Sequence, residues 1–308
     1  MHPTLVRFGS FGLPTYGVAM ALGFLAAILL GVRSARRQGI STERLLDLSF
    51  WILGASLLGS RLAYAVTRAP EFVQICAGTG AERSFGRVLY DCTRSLHIWE
   101  GGYVFYGGYV AAILVSIWYT RRHKMGFFRV ADLTTPLVAL GHFFGRLGCF
   151  AAGCCYGKPA PLALGVAFPA GCLVHAELSA AGLLAAGASA TMPLYPTQLY
   201  EAFAELAIFV LLVLRGHRRT YYGQVFVTYL WLYPSARAVI ELFRGDPDRG
   251  YLWRLSTPTL NRWLGLPPDS ASLLSVPQAV GLLAVGFAVA LSRALRRRSD
   301  DLGARRAS

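Results

Sequence analysis

The chain has 308 residues, is 55% hydrophobic and 15% charged, and carries a net charge of +14 at pH 7. Soluble domains carry nearer to ~25% charged residues, so this composition argues against an ordinary soluble domain and for a bilayer environment. The basic excess does not read as a nucleic-acid footprint either: it falls in short clusters between apolar runs, the pattern of cytoplasmic loops. No cleavable leader is expected, because no basic cluster leads into a short apolar core with a small-residue cleavage site.

Apolar runs near the ~20 residues that a bilayer core requires lie at 13–32, 46–66, 101–120, 131–151, 196–214, 222–242 and 274–292. The first is followed by Arg33, Arg36 and Arg37, and the third by Arg121, Arg122 and Lys124. After the fifth come Arg215, Arg218 and Arg219; after the seventh, Arg293, Arg296, Arg297 and Arg298. Every second loop is basic, so these loops face the cytoplasm. The expected fold is an all-α integral membrane protein of seven transmembrane helices, with the N-terminus outside and the C-terminus cytoplasmic. One transmembrane domain covers 1–298, with outer loops 67–100, 152–195 and 243–273, and a polar cytoplasmic tail over 299–308. A short amphipathic or re-entrant segment is expected near 178–190. No internal repeat is visible, which weakens a transporter reading.

Polar residues inside apolar runs are costly and mark working sites. In chain order, Tyr16-Gly17 lies in the first span and Gly59-Ser60-Arg61 near the outer end of the second. Cys76 and Cys92 share an outer loop, where they either pair or stay free. Glu100-Gly101-Gly102-Tyr103-Val104-Phe105-Tyr106-Gly107-Gly108 opens the third span. Its thin backbone beside aromatic rings suits either a lipid-lined slot or tight helix packing.

The fourth span holds Gly145-Arg146-Leu147-Gly148 and leads into Gly153-Cys154-Cys155-Tyr156-Gly157-Lys158-Pro159, read as a turn leaving the membrane. Arg146 follows Asp132, His142 and two phenylalanines, so the bland reading is a snorkelling arginine. Cys149, Cys154, Cys155 and Cys172 follow a C-x4-C-C-x16-C pattern that lacks the paired spacing of structural zinc sites. Packing or disulfide roles are therefore expected of them, and no metal. Tyr195-Pro196-Thr197-Gln198-Leu199-Tyr200-Glu201 opens the fifth span, with Pro196 suited to a first helical turn. In the sixth, Tyr233, Arg237, Glu241 and Arg244 share one helix face. Arg237 and Glu241 either form a structural ion pair or hold a guanidinium ready for an anion; the planar fork of arginine suits phosphate.

Taken together and in this order, these motifs resemble the prolipoprotein diacylglyceryl transferase family over nearly the whole chain. The resemblance implies an enzyme of the bacterial cytoplasmic (inner) membrane. It implies transfer of the diacylglyceryl group of phosphatidylglycerol to the lipobox cysteine of prolipoprotein signal peptides, forming a thioether and releasing glycerol phosphate. It implies Arg146 and Arg237 on the lipid phosphate, Glu241 positioning Arg237, and Tyr16 and Gly157 lining the site. Arg61, Gln198, Tyr200, Glu201, Tyr233 and Arg244 are the further expected binding residues. The partners are phosphatidylglycerol, the signal peptides and the bilayer, with no nucleic acid; no metal or organic cofactor is expected.

The sequence departs from the family pattern in three places. Tyr106 stands where a catalytic histidine is common, Cys149 where asparagine is, and Ala152-Gly153-Cys154 replaces Asn-Gly-Glu. A tyrosine, with a reference pKa of about 10, is a poor base at pH 7. Either Tyr106 positions lipid, or another group takes the proton, or the activity is altered. The alternative readings are a divergent phospholipid-binding paralogue without the transfer, and an anion transporter.

Overall fold

Each predicted span is met by a helix in the computed structural model, which describes residues 4–8, 11–70, 73, 90, 93, 104–245, 250–266 and 273–307. A hairpin of β1 (Thr4–Phe8) and β2 (Phe11–Pro14) leads into α1 (Thr15–Arg37) and α2 (Thr42–Thr67). Then come α3 (Phe105–Arg122), α4 (Phe127–Ala152) and the short α5 (Leu173–Ala180). The chain continues through α6 (Thr197–His217), α7 (Gln224–Ile240) and a 3-10 turn at Glu241–Phe243. It ends with β3 (Tyr251–Leu255), α8 (Pro258–Trp263), β4 (Leu273–Ser275) and α9 (Val276–Ala307), where β3 and β4 pair antiparallel.

Among the described residues, α1, α2, α6 and the Val276–Ser299 part of α9 are long and apolar enough to cross a membrane. Leu25, Leu29, Leu58, Leu114 and Leu283 stand exposed on helix surfaces, where a lipid solvent satisfies them. The chain is thus a mostly helical membrane protein. The two hairpins were not foreseen. The final helix runs on to Ala307, through the polar residues expected to form a tail. In the loop after α4, the helix falls at 173–180, largely ahead of the 178–190 segment. Cys76, Cys92, Gly101, Gly102 and Tyr103 lie outside the described residues.

The chain forms two compact units, one of Met1–Gly31 with Ala131–Ser308, the other of Val32–Val130. In the smaller unit, α2 and α3 cross at backbone contact. A Cβ on Gly59 would stand 2.7 Å from Gly107 O and 2.5 Å from Ala111 Cβ, and one on Gly108 would stand 2.9 Å from Ser56 O. Tight helix packing is therefore what Gly107 and Gly108 serve. Ser60 Oγ donates to Val104 O at 3.0 Å, and Val104 N donates to Ser60 O at 3.2 Å, fixing where α3 begins. Farther along, Tyr119 OH donates to Asp47 Oδ2 at 2.6 Å.

In the larger unit, Ala139, Ile208, Leu212 and Val225 form a core shared by α4, α6 and α7. The start of α7 is capped from a distance. Asp132 on α4 accepts from Gly223 N at 2.8 Å and Phe226 N at 3.0 Å, placing a carboxylate at the positive end of α7. The start of α9 carries a reciprocal cap: Ser275 Oγ accepts from Gln278 N, and Gln278 Oε1 from Ser275 N. Gln278 Nε2 also donates to Ala238 O, tying α9 to α7. Beyond α4, Tyr156, Phe168, Cys172, Val174, Leu178 and Leu194 bury one another in a small folded cap.

Candidate functional site

Three helices of the larger unit each contribute a polar stripe at helical spacing. On α4 it is His142, Arg146 and Cys149, at i, i+4 and i+7. On α6 it is Glu201 and Glu205. On α7 and its 3-10 extension it is Tyr229, Tyr233, Arg237 and Glu241. Around them the helices are apolar, so these groups are obliged to find partners among themselves.

Glu201 is the junction. Its Oε1 lies 2.9 Å from Arg146 Nη2, and its Oε2 lies 3.5 Å from Arg237 Nη1. Glu241 Oε2 holds Arg237 from the other side, 2.7 Å from Nη2. His142 Nδ1 lies 2.6 Å from Glu205 Oε1, while its Nε2 accepts from Arg146 Nε at 3.1 Å. Tyr229 OH donates to the same Glu205 oxygen at 3.4 Å, and the Tyr229 and Tyr233 rings stack. The three carboxylates are 1–3% exposed, and Arg146 and Arg237 are 15% and 12% exposed. Arg237 Nη1, buried, has no hydrogen-bond partner among the described residues. Two guanidinium groups, ten N–H donors in all, thus converge on one carboxylate, with donors left over for a further anion.

The formal charges do not cancel by themselves. Three carboxylates face two guanidinium groups, so with a neutral imidazole the cluster carries one net negative charge. A proton on His142 brings it to zero. The cluster can therefore receive a proton, and Arg237 Nη1, without a hydrogen-bond partner among the described residues, is its local donor toward an anion.

The turn after α4 sits beside this cluster. Gly153 (φ 75°) and Cys155 (φ 58°) both adopt the left-handed conformation, which costs a non-glycine residue about 1 kcal/mol or more. The opening residues of α6 hold the turn: Thr197 Oγ1 donates to Cys155 O at 2.9 Å, and Gln198 Nε2 to Cys154 O at 2.7 Å. Next along, Gly157 N donates to Tyr195 O and Gly245 N to Tyr156 O. A Cβ on Gly245 would meet Gly157 O at 2.6 Å, so two segments clasp here backbone to backbone. Arg244, 8% exposed, bridges to Gly157 at this clasp.

Of the residues singled out in the sequence, Arg146, Glu201, Tyr233, Arg237 and Glu241 come together. Tyr16 packs against Gly148, two residues beyond Arg146, where a Cβ on the glycine would reach its ring at 2.9 Å. Gln198, fully buried, is engaged with the Cys154 backbone, and Tyr200 packs edge-on against Phe243. Arg61 and Tyr106 belong to the smaller unit: Arg61 is buried over the Tyr64 ring at 5.1 Å, and Tyr106 is half exposed. His142 and Glu205 were missed as site residues. The signal was present, since His142 lies one turn before Arg146 and Glu205 one turn after Glu201.

A model of the prolipoprotein diacylglyceryl transferase family matches residues 3–291. The chain belongs to this family. It is similar to a phosphatidylglycerol–prolipoprotein diacylglyceryl transferase of Geobacter sulfurreducens, 30% identical over 302 residues, covering 95% of this chain and 96% of the relative. It is also similar to that of Stenotrophomonas maltophilia, 31% identical over 277 residues (87% and 88%). The enzyme of Clostridium tetani is 28% identical over 257 residues (83% and 90%). Family membership makes the chain a transferase of lipoprotein maturation.

Proposed function

We propose that the chain transfers the diacylglyceryl group of phosphatidylglycerol to the lipobox cysteine thiol of prolipoprotein signal peptides. It does so in the bacterial cytoplasmic membrane, which it crosses seven times with the N-terminus outside. The observation that carries this reading is the convergence of Arg146 and Arg237 on Glu201, within hydrogen-bonding reach of one shared anion. The phosphate of the lipid enters as that anion. The thiolate attacks the glycerol carbon, the carbon–oxygen bond to phosphate breaks, and its electron pair departs on the phosphate oxygen. Charge grows on that oxygen as the bond breaks, which is where fixed guanidinium donors act most strongly. Glu241 and Glu201 hold the two guanidinium groups in place, so little reorganisation accompanies the step.

His142 takes the thiol proton. Glu205 fixes the ring through Nδ1, leaving Nε2 as the basic nitrogen once the Arg146 N–H that it accepts turns to the phosphate. This assigns the acceptor that Tyr106 is chemically unsuited to be. In a bacterium depleted of its own transferase, expression of this chain restores the mobility of a mature lipoprotein. Accumulation of unmodified precursor, with the protein present in the membrane, overturns the reading.

A further inference from the structure

Three cysteines of the larger unit cluster at the end of α4 and in the turn that follows it. The Sγ atoms of Cys149, Cys154 and Cys155 all lie within 4.8 Å of one another. The three are free thiols, each partly exposed. The left-handed backbone at Cys155 lets neighbouring cysteines turn their sulfurs toward the same partner, Cys149. Cys172, the fourth cysteine of the region, is buried in the cap core and stands outside the trio.

We propose that Cys149, Cys154 and Cys155 form an open thiolate site for Zn2+, whose fourth position receives the thiol of the incoming protein substrate. Zinc–sulfur bonds of ~2.3 Å place ligand sulfurs about 3.8 Å apart in a tetrahedron, so the trio closes on the ion by drawing in about 1 Å at most. Three protein ligands are the count of a catalytic zinc, where a structural zinc has four. Zinc with three thiolates carries one net negative charge. Arg146 lies within electrostatic reach of Cys149 and Cys155, and Arg244 within reach of Cys155, so both offset that charge. The walls are held: Thr197 and Gln198 fix the Cys155 and Cys154 carbonyls, and Gln198 Oε1 is buried beside the turn without a hydrogen-bond partner among the described residues.

Delivery of the thiol rests on the transferase reading; binding of the metal does not. The substrate S–H gives its proton to His142 and its sulfur to zinc. The zinc-bound thiolate then forms the carbon–sulfur bond as the carbon–oxygen bond to phosphate breaks. The product thioether is neutral, a weaker ligand, and leaves. No electron is gained or lost by the metal.

The test uses the reduced full-length chain in detergent, with Co2+ as probe. One equivalent of metal binds and gives sulfur-to-cobalt charge-transfer absorption. Adding a cysteine-containing lipobox peptide raises that absorption by about one third, for four thiolates in place of three. C149S, C154S and C155S each lose the band and at least tenfold in transfer, while C172A keeps both. R237A keeps the band but loses transfer, so a failure of the lipid site is distinguishable from a failure of the metal site. Absence of stoichiometric metal in the folded, reduced protein overturns the proposal, as does a disulfide within the trio in protein that binds no metal. Loss of the band with transfer unchanged overturns the role in thiol delivery.

Discussion

His142 Nδ1 stands 2.6 Å from Glu205 Oε1, and the Glu205 side chain is 1% exposed. A buried carboxylate on one ring nitrogen fixes the orientation and tautomer of the imidazole and directs its basicity to the other nitrogen. That other nitrogen faces Arg146, which places a proton acceptor against the candidate lipid-phosphate site.

If His142 accepts the thiol proton, His142→Ala lowers kcat by about 10²–10⁴, the usual worth of a positioned base, and leaves KM for lipid within about twofold. Glu205→Gln, which keeps the size but not the charge, gives a smaller loss in the same direction. Steady-state kinetics on a lipobox peptide in mixed micelles checks both; an equal loss appearing in KM assigns the pair to lipid binding instead.

Arg146→Ala and Arg237→Ala each reduce transfer by about 10²–10³, as removal of one charge-stabilising donor does. Arg237→Lys does not restore the rate. An ammonium cannot reach Glu241, Glu201 and a phosphate oxygen with one planar fork. The readout is turnover of radiolabelled phosphatidylglycerol.

Glu201→Ala removes the carboxylate from buried Arg146, while Arg237 keeps Glu241, and costs about 3–5 kcal/mol, the scale seen when one partner of a buried pair is removed. Its melting temperature in detergent falls well below that of Glu201→Gln, which keeps an acceptor in place. Melting temperatures equal to that of the unmodified chain for both variants would show that Glu201 contributes nothing to holding α4 and α7 together.

Gly107→Val drives two methyl groups into the backbone of α2 at Gly59. Overpacking of this kind costs about 1–3 kcal/mol, and more against backbone that cannot yield. Monodisperse protein recovered after detergent extraction drops, whereas Gly54→Ala, with open space around the new Cβ, leaves it unchanged.

Burial pushes the Cys172 thiol up from its ordinary value. Hydrogen bonds from Cys149 and Cys154 hold the Cys155 thiol down, with Arg244 and Arg146 adding to the effect. In reduced, chelator-treated protein at pH 7, iodoacetamide therefore modifies Cys155 well before Cys172. Raising the pH then speeds Cys172, by up to about tenfold per unit, because only its thiolate reacts. Peptide mass spectrometry follows the two rates.

Hydropathy located the apolar helices, four of which among the described residues are long and apolar enough to cross a membrane, because burial in lipid selects long apolar runs whatever their partners. It also found Arg146, Arg237 and Glu241, since charge is conspicuous there. What it missed depends on distant neighbours. Asp132 caps α7 from a helix 91 residues away in sequence, and no local pattern announces that. The helix at 173–180 hides in a segment whose burial is set by Phe168 and Leu194, not by its own periodicity. His142 was readable from its spacing to Arg146 and Cys149, yet a lone histidine among phenylalanines looks like core. Tyr106 and Arg61 drew attention as polar groups in apolar runs, and both lie in the smaller unit, with Arg61 over the Tyr64 ring.

The clasp of Gly157 against Gly245 also sets rules for chain length. Only three residues separate Glu241, which steadies Arg237, from Gly245, whose backbone is pressed on that of Gly157. A single residue inserted there would carry Arg244 away from the cysteine turn, whatever its side chain. The surface turns between Ala181 and Ala190 carry no residue of the charged cluster and can lengthen at a cost that grows only slowly with added residues. Natural variation in the length of this chain is accordingly expected in the cap, and not in residues 241–245, which follow α7.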